Sequence, residues 1–182
     1  ETMIFVAPSK FEGARGFDEI YDCGVIGTVM RKVPLPDGRI KILFQGYAKG
    51  KIIKRIAAKP LRAMIDIISQ ENASGAKNDA LLAVLKEKVK ALANISHYFS
   101  PDLLRTIEEG TDSARICDLI LNTIRVKKQT AYEFFMQTNI EIKMTKLIDL
   151  LAEEIETSRL QKEIKNKVHS KIRSEEHTSE LQ

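Results

Sequence analysis

An α+β fold, with a small antiparallel β-rich part followed by a helical bundle, is what this 182-residue chain predicts. Three observations carry that expectation. Up to residue 70 the apolar residues recur at period two and are interrupted by Gly and Pro. Residues 71–78 form a polar linker with no periodicity. Beyond it the apolar residues recur at helical spacing behind good capping residues.

The first strand is the short apolar run Met3–Ala7. A second spans Ile20–Val33, rich in β-branched residues; its Gly24 and Gly27 mark bulges or bends. Leu35-Pro36-Asp37-Gly38-Arg39 is a hairpin turn. Pro presets the turn angle, Asp bonds its own backbone, and Gly accepts the left-handed conformation. Arg39–Gln45 then begins with clean alternation. Gly46 and Gly50 bracket another turn or bulge, Lys51–Ala57 is a further strand, and Leu61, Ala63, Ile65 and Ile67 alternate after Pro60. Five or six strands with no helix between them suggest a closed or strongly coiled antiparallel sheet.

The helical bundle spans residues 79–138, and a long helix or arm spans 139–182. Asn78 can cap a helix carrying Leu81, Leu82, Leu85, Val89, Leu92 and Ile95. Ser100-Pro101 opens a short helix that Gly110 closes, and Thr111 or Asp112 caps the next, with Cys117, Ile120, Leu121 and Ile124 in one stripe. Thr130–Met136 is short and aromatic. Thr138 or Asn139 opens the longest helix. Its apolar face is broad through Leu151 and then thins to single residues, Ile155, Leu160, Ile164, Val168 and Ile172. So narrow a stripe suits an exposed arm rather than a helix docked on a core.

Composition excludes several classes. With 43% hydrophobic and 30% charged residues the chain is neither a disordered tail nor a disulfide scaffold. No apolar run approaches the ~20 residues of a membrane helix, so no membrane role is expected. The chain opens inside an apolar run with no leader pattern and reads as a fragment of something longer. Cys23 and Cys117 lie far apart, which suits buried, reduced thiols in a cytoplasmic protein. The net charge of +4 sits in residues 1–70, where basic residues outnumber acidic ones by five. Such a surface attracts nucleic acid or acidic peptide segments, or simply solvates strand faces.

No catalytic constellation is present. Gly46–Ile52 has one residue too few for a phosphate-binding loop and Ile52 where the magnesium-binding hydroxyl belongs. No nucleophile elbow and no zinc-protease helix occur, and His97, His169 and His177 are scattered. The catalytic, cofactor and metal sites are therefore expected to be none.

Gly24-Val25-Ile26-Gly27-Thr28-Val29, followed by Leu35-Pro36-Asp37-Gly38-Arg39-Ile40-Lys41-Ile42-Leu43-Phe44-Gln45-Gly46, resembles the amino-terminal domain of the bacterial Lon protease family. There a G-T-V, a spacer, an L-P-D-G and a K-V-L-V-E-G follow one another; here Gln45 replaces the Glu. The helical half is similar in order and spacing, from Ser113–Ile120 through Gln129 to Leu147–Glu156. The likeness extends to about residue 173, whereas residues 174–182 depart from it and resemble an artefact.

The resemblance implies a PUA-like pseudo-barrel, a bundle and a long helix leading to an AAA+ ATPase and a serine protease domain outside this chain, where ATP and Mg would bind. It implies a non-catalytic region that recognises unfolded or degron-bearing proteins and supports a homohexamer. Contact candidates are the aromatics Phe11, Phe17, Tyr21 and Tyr47, each of which could instead be core, and the arm residues Ile155, Leu160, Ile164 and Val168. The alternative is a stand-alone PUA-like nucleic-acid-binding module.

Overall fold

The computed structural model describes residues 3–69 and 75–179, with side chains through residue 168. The chain divides near residue 70 into two compact units.

The first unit is a four-stranded antiparallel meander, β1 (Met3–Val6), β2 (Cys23–Pro34), β3 (Ile40–Ala58) and β4 (Leu61–Ile68), in that spatial order. Four strands replace the five or six expected because β3 runs unbroken for 19 residues through Gly46 and Gly50. The supposed turn between those glycines is a bulge. Ile26 opposes Ala48 and Gly27 opposes Gly46, which leaves Tyr47 as the extra residue. Met30 on β2, and Ile53 and Ile56 on β3, are extra in the same way. Each bulge bends and further twists the ladder, so the sheet coils, and among the described residues β1 and β4 do not pair.

Two glycines explain the register of β2 on β3. A Cβ on Gly27 would lie 2.0 Å from the Gln45 carbonyl oxygen and 2.6 Å from Phe44 Cζ, so only glycine permits this approach. Gly38 has φ of +81°, with its N–H donating to the Leu35 carbonyl at 3.1 Å. The Leu35 N–H donates to Arg39 C=O at 2.8 Å, and Asp37 accepts from the Arg39 N–H at 3.0 Å. This is the hairpin the Leu-Pro-Asp-Gly spacing predicts.

β1 pairs only with Val25–Thr28, and β4 pairs with β3 only from Lys49 onward. Among the described residues Val29–Pro34 and Ile40–Phe44 therefore pair only with each other, as a two-stranded ribbon reaching past both neighbouring strands. The excursion between β1 and β2 folds back through a 3-10 turn, Phe17–Glu19, where the Glu19 carboxylate accepts from the N–H of Arg15 and Gly16.

The second unit holds α1 (Ala76–Ala93), α2 (Pro101–Glu109), α3 (Ser113–Thr123), α4 (Lys128–Met136) and α5 (Ile140–Ser179). Ser100 Oγ accepts from the Leu103 N–H, Asp112 accepts from Arg115 N–H, and Asn139 accepts from Ile142 N–H, each the cap that orphan amides of a first turn require. Asn78 does not cap α1, which begins two residues earlier. It lies buried in the first turn and accepts a hydrogen bond from Ser113 Oγ at 2.9 Å, tying α1 to α3. Lys86 Nζ reaches the carbonyls of Glu108 and Gly110 and so satisfies the C-terminal end of α2.

The core is the α1–α5 pair closed over by α3, with Leu85, Leu92, Ile120, Leu147 and Leu151 fully buried. Each such side chain contributes about 1.5–3 kcal/mol by leaving water.

Candidate interaction surface

The β unit leaves an unusual amount of apolar surface bare. Its fully buried residues are Cys23, Gly24, Gly27, Thr28 and Gly50. Large side chains stay outside: Met30 is 55%, Ile40 60%, Ile42 51% and Leu43 62% exposed on the ribbon, and all four bulge residues are exposed. A bulge re-aims the side chain it carries, which accounts for the exposure of Met30, Tyr47, Ile53 and Ile56.

Cross-strand partners share a face of a sheet. On one face of the ribbon Arg31 opposes Leu43 and Val33 opposes Lys41; on the other, Lys32 opposes Ile42 and Pro34 opposes Ile40. Cations and apolar groups are thus interleaved. The one acid, Asp37, is engaged by Arg39 at 2.6 Å, which holds its carboxyl below the usual range.

The expected aromatics divide. Phe11 and Tyr47 are exposed, with Tyr47 anchored by a 2.8 Å hydrogen bond between its hydroxyl and Thr28 Oγ1. Phe17 and Tyr21 are half-buried. Arg55 lies 5.4 Å over the Phe17 ring and pairs with Asp18 at 2.6 Å, so Phe17 is engaged from within the unit.

The arm candidates divide as well. Ile155 is 7% exposed and belongs to the core cluster. Leu160, Ile164 and Val168 are at least half exposed. A step of five residues separates Ile155 from Leu160, which turns the stripe about 140° around the helix and away from the bundle. The arm begins after Ile155, not at it. Residues 180–182, and the side chains of the atypical ending, lie outside the described residues.

Shallow grooves lie on the second unit among the described residues. One of about 400 Å³ lies between residues 93–98 and Ser158–Lys165, with His97, Lys162 and Lys165 on its wall; the other, about 210 Å³, runs between α4 and α5. In the first, the Ser96 hydroxyl is engaged by the Leu92 carbonyl at 2.7 Å. Burial pushes the Cys117 thiol up to about 12, so it supplies no thiolate near neutrality. Among the described residues no group of His, Cys, Asp and Glu is placed to hold a metal ion, and no helix is long and apolar enough to cross a membrane.

Sequence reasoning missed the ribbon. Its trace was present: Ile40, Ile42 and Phe44 occupy one face while Leu43 occupies the other, so the strand is apolar on both sides.

The comparisons agree with the chemistry. A family model described as the ATP-dependent protease La (Lon) substrate-binding domain matches residues 2–153. The chain is 72% identical over 172 residues to Lon protease of Campylobacter jejuni, covering 94% of this chain and 22% of that protein. It is 41% identical over 175 residues to Lon protease of Helicobacter pylori, covering 94% of this chain and 21% of that protein. The chain thus spans about a fifth of the length of these curated relatives. In fold it is similar to the N-terminal domain of Mycobacterium avium complex Lon protease, with a TM-score of 0.62 at 16% identity over 82% of this chain and 77% of that one. It also resembles the Lon N-terminal domain protein from Xanthomonas campestris, with a TM-score of 0.53 at 7% identity over 81% of this chain and 75% of that one. The resemblance carried by the Gly-Thr-Val and Leu-Pro-Asp-Gly segments is therefore the right one, and the chain belongs to the Lon substrate-binding domain family, whose matched region is a binding domain rather than a catalytic one.

Proposed function

We propose that this chain is the client-capturing and assembly-supporting region of a cytoplasmic, homohexameric, ATP-dependent Lon-type serine protease that degrades misfolded and regulatory proteins. Peptide hydrolysis and the binding of ATP and Mg fall to parts of the parent protein outside these 182 residues. One observation supports the reading above others: a β unit that exposes large apolar side chains beside Arg31, Lys32 and Lys41, which have no acidic partner among the described residues. Contiguous apolar surface on a folded unit marks an interaction site. Interleaving it with long, flexible cations suits weak capture of many sequences in many registers.

The test is binding of a reduced, alkylated, permanently unfolded protein to the purified chain, followed by fluorescence anisotropy at low and at physiological ionic strength. The expected result is micromolar-range binding that changes little with salt. Affinity that falls steeply with salt, together with tighter binding to duplex or single-stranded nucleic acid, is the result expected of the nucleic-acid module instead.

A further inference from the structure

We propose that the outer edge of β3 in the ribbon, residues 40–45, takes up an extended client segment as an added antiparallel or parallel strand, and that it selects segments alternating apolar and acidic residues. This deepens the capture reading and rests on it.

Two edges of the ribbon are open among the described residues, and they are not equivalent. The β2 edge carries a bulge at Met30 and ends in Pro34, which has no N–H to donate. Both features block strand addition. The β3 edge has no bulge before Tyr47, contains no proline, and meets β4 only at Lys49. Residues 40–45 therefore form an unbulged stretch of about 20 Å whose outer peptide groups have no strand partner among the described residues. Extended chains recognised in this way draw affinity from main-chain hydrogen bonds and specificity from alternate side chains.

The side chains flanking that edge set the specificity. Ile40, Ile42 and Phe44 line one face, and an added strand would place its apolar residues beside them. On the opposite face β3 presents Lys41, Leu43 and Gln45, and Arg31 lies one strand further in, opposite Leu43; both cations are exposed and have no acidic partner among the described residues. Alternate residues of the added strand fall on that face and are favoured when acidic. Basic residues there would meet like charge.

The experiment uses the full chain and three dye-labelled synthetic peptides: alternating Val and Glu, alternating Val and Lys, and the Val/Glu peptide N-methylated at every second amide. Anisotropy at physiological salt is expected to show the Val/Glu peptide binding severalfold tighter than the Val/Lys peptide, since the charge facing Lys41 changes sign between them, with Arg31 one strand further in adding to the difference. N-methylation should cost a further factor of about ten, because one hydrogen-bonding edge is lost. In the double variant Arg31→Glu with Lys41→Glu the charge preference should invert, with the melting temperature unchanged because both side chains are exposed. Amide exchange at Ile40–Gln45 should slow on adding the Val/Glu peptide. The arm variant Leu160→Ser with Ile164→Ser should bind all three as the parent does.

Indifference to N-methylation, or exchange protection confined to other residues, overturns strand addition. So does displacement of the peptide by duplex DNA bound more tightly. If the unfolded protein still binds while the three peptides bind alike, the edge proposal falls and the capture reading stands; if neither binds, both fall.

Discussion

Lys143 offers the sharpest test of how the bundle is held. It sits on α5 with its side chain 1% exposed, and its Nζ lies 2.5 Å from Oδ1 of Asp118 on α3. Removing the carboxylate in Asp118→Ala leaves an ammonium inside the bundle with its ion-pair partner gone. A buried charge stranded in this way costs about 3–5 kcal/mol. Asp118 itself is 52% exposed, so water can enter the vacated place, and the expected loss is about 2–3 kcal/mol.

Lys143→Met breaks the same contact from the other side with the opposite expectation. The methionine fills the space of the lysine stem, no charge is buried, and Asp118 turns to solvent. Stability should stay within about 1 kcal/mol of the parent. The double variant should recover most of what Asp118→Ala loses. Urea unfolding followed by far-ultraviolet circular dichroism, which reports the helical unit, measures all three. A loss under about 1 kcal/mol for Asp118→Ala, or equal losses for both single variants, would refute the account of a charge retained by one half-exposed partner.

Three further outcomes are expected. Gly27→Ala should destabilise the β unit by about 2 kcal/mol or more, because the methyl meets the Gln45 carbonyl oxygen and backbone cannot step aside; hydrogen exchange of β2 and β3 reads it. Cys117 is protonated more firmly when folded than unfolded, so its contribution is intact below about pH 9 and is lost as pH rises toward 12, at about 1.4 kcal/mol per pH unit, with Tyr98 acting in the same direction because Glu154 holds its hydroxyl proton; urea midpoints across that range show the slope. Truncation after Ser158 should leave the thermal midpoint of the bundle within about 2 °C, whereas truncation before Ile155 should lower it by several degrees, because among the described side chains only the second cut removes a buried one.

Local chemistry made most of the helical unit readable. Ser100, Asp112 and Asn139 cap because their side-chain oxygens suit an orphan amide, and each sits directly before a run with helical spacing. Asn78 had the same chemistry and a different use, since the helix could start at Ala76 and the buried Ser113 hydroxyl needed an acceptor. That choice is tertiary and leaves no local trace. The glycines of β3 misled for a related reason. Gly46 and Gly50 resemble a turn in isolation, but the pairing of both flanks with β2 favours one bulged strand. Exposure was the least legible quantity. Ile155 and Leu160 look alike in a list of apolar residues, and only the phase of the helix places one in the core and the other in solvent.

α5 is one continuous helix of 40 residues, and among its described side chains those buried in the bundle end at Ile155. From Ile155 to Ser179 it extends about 36 Å at 1.5 Å per residue. A rod clamped at one end acts as a lever. A tilt of about 5° at its root would sweep the far end through roughly 3 Å, and a push at the far end would return to the clamp as torque on Met144, Leu147 and Leu151. A group bound to that tip could therefore set the orientation of the bundle without touching it, and force could travel the same way in reverse.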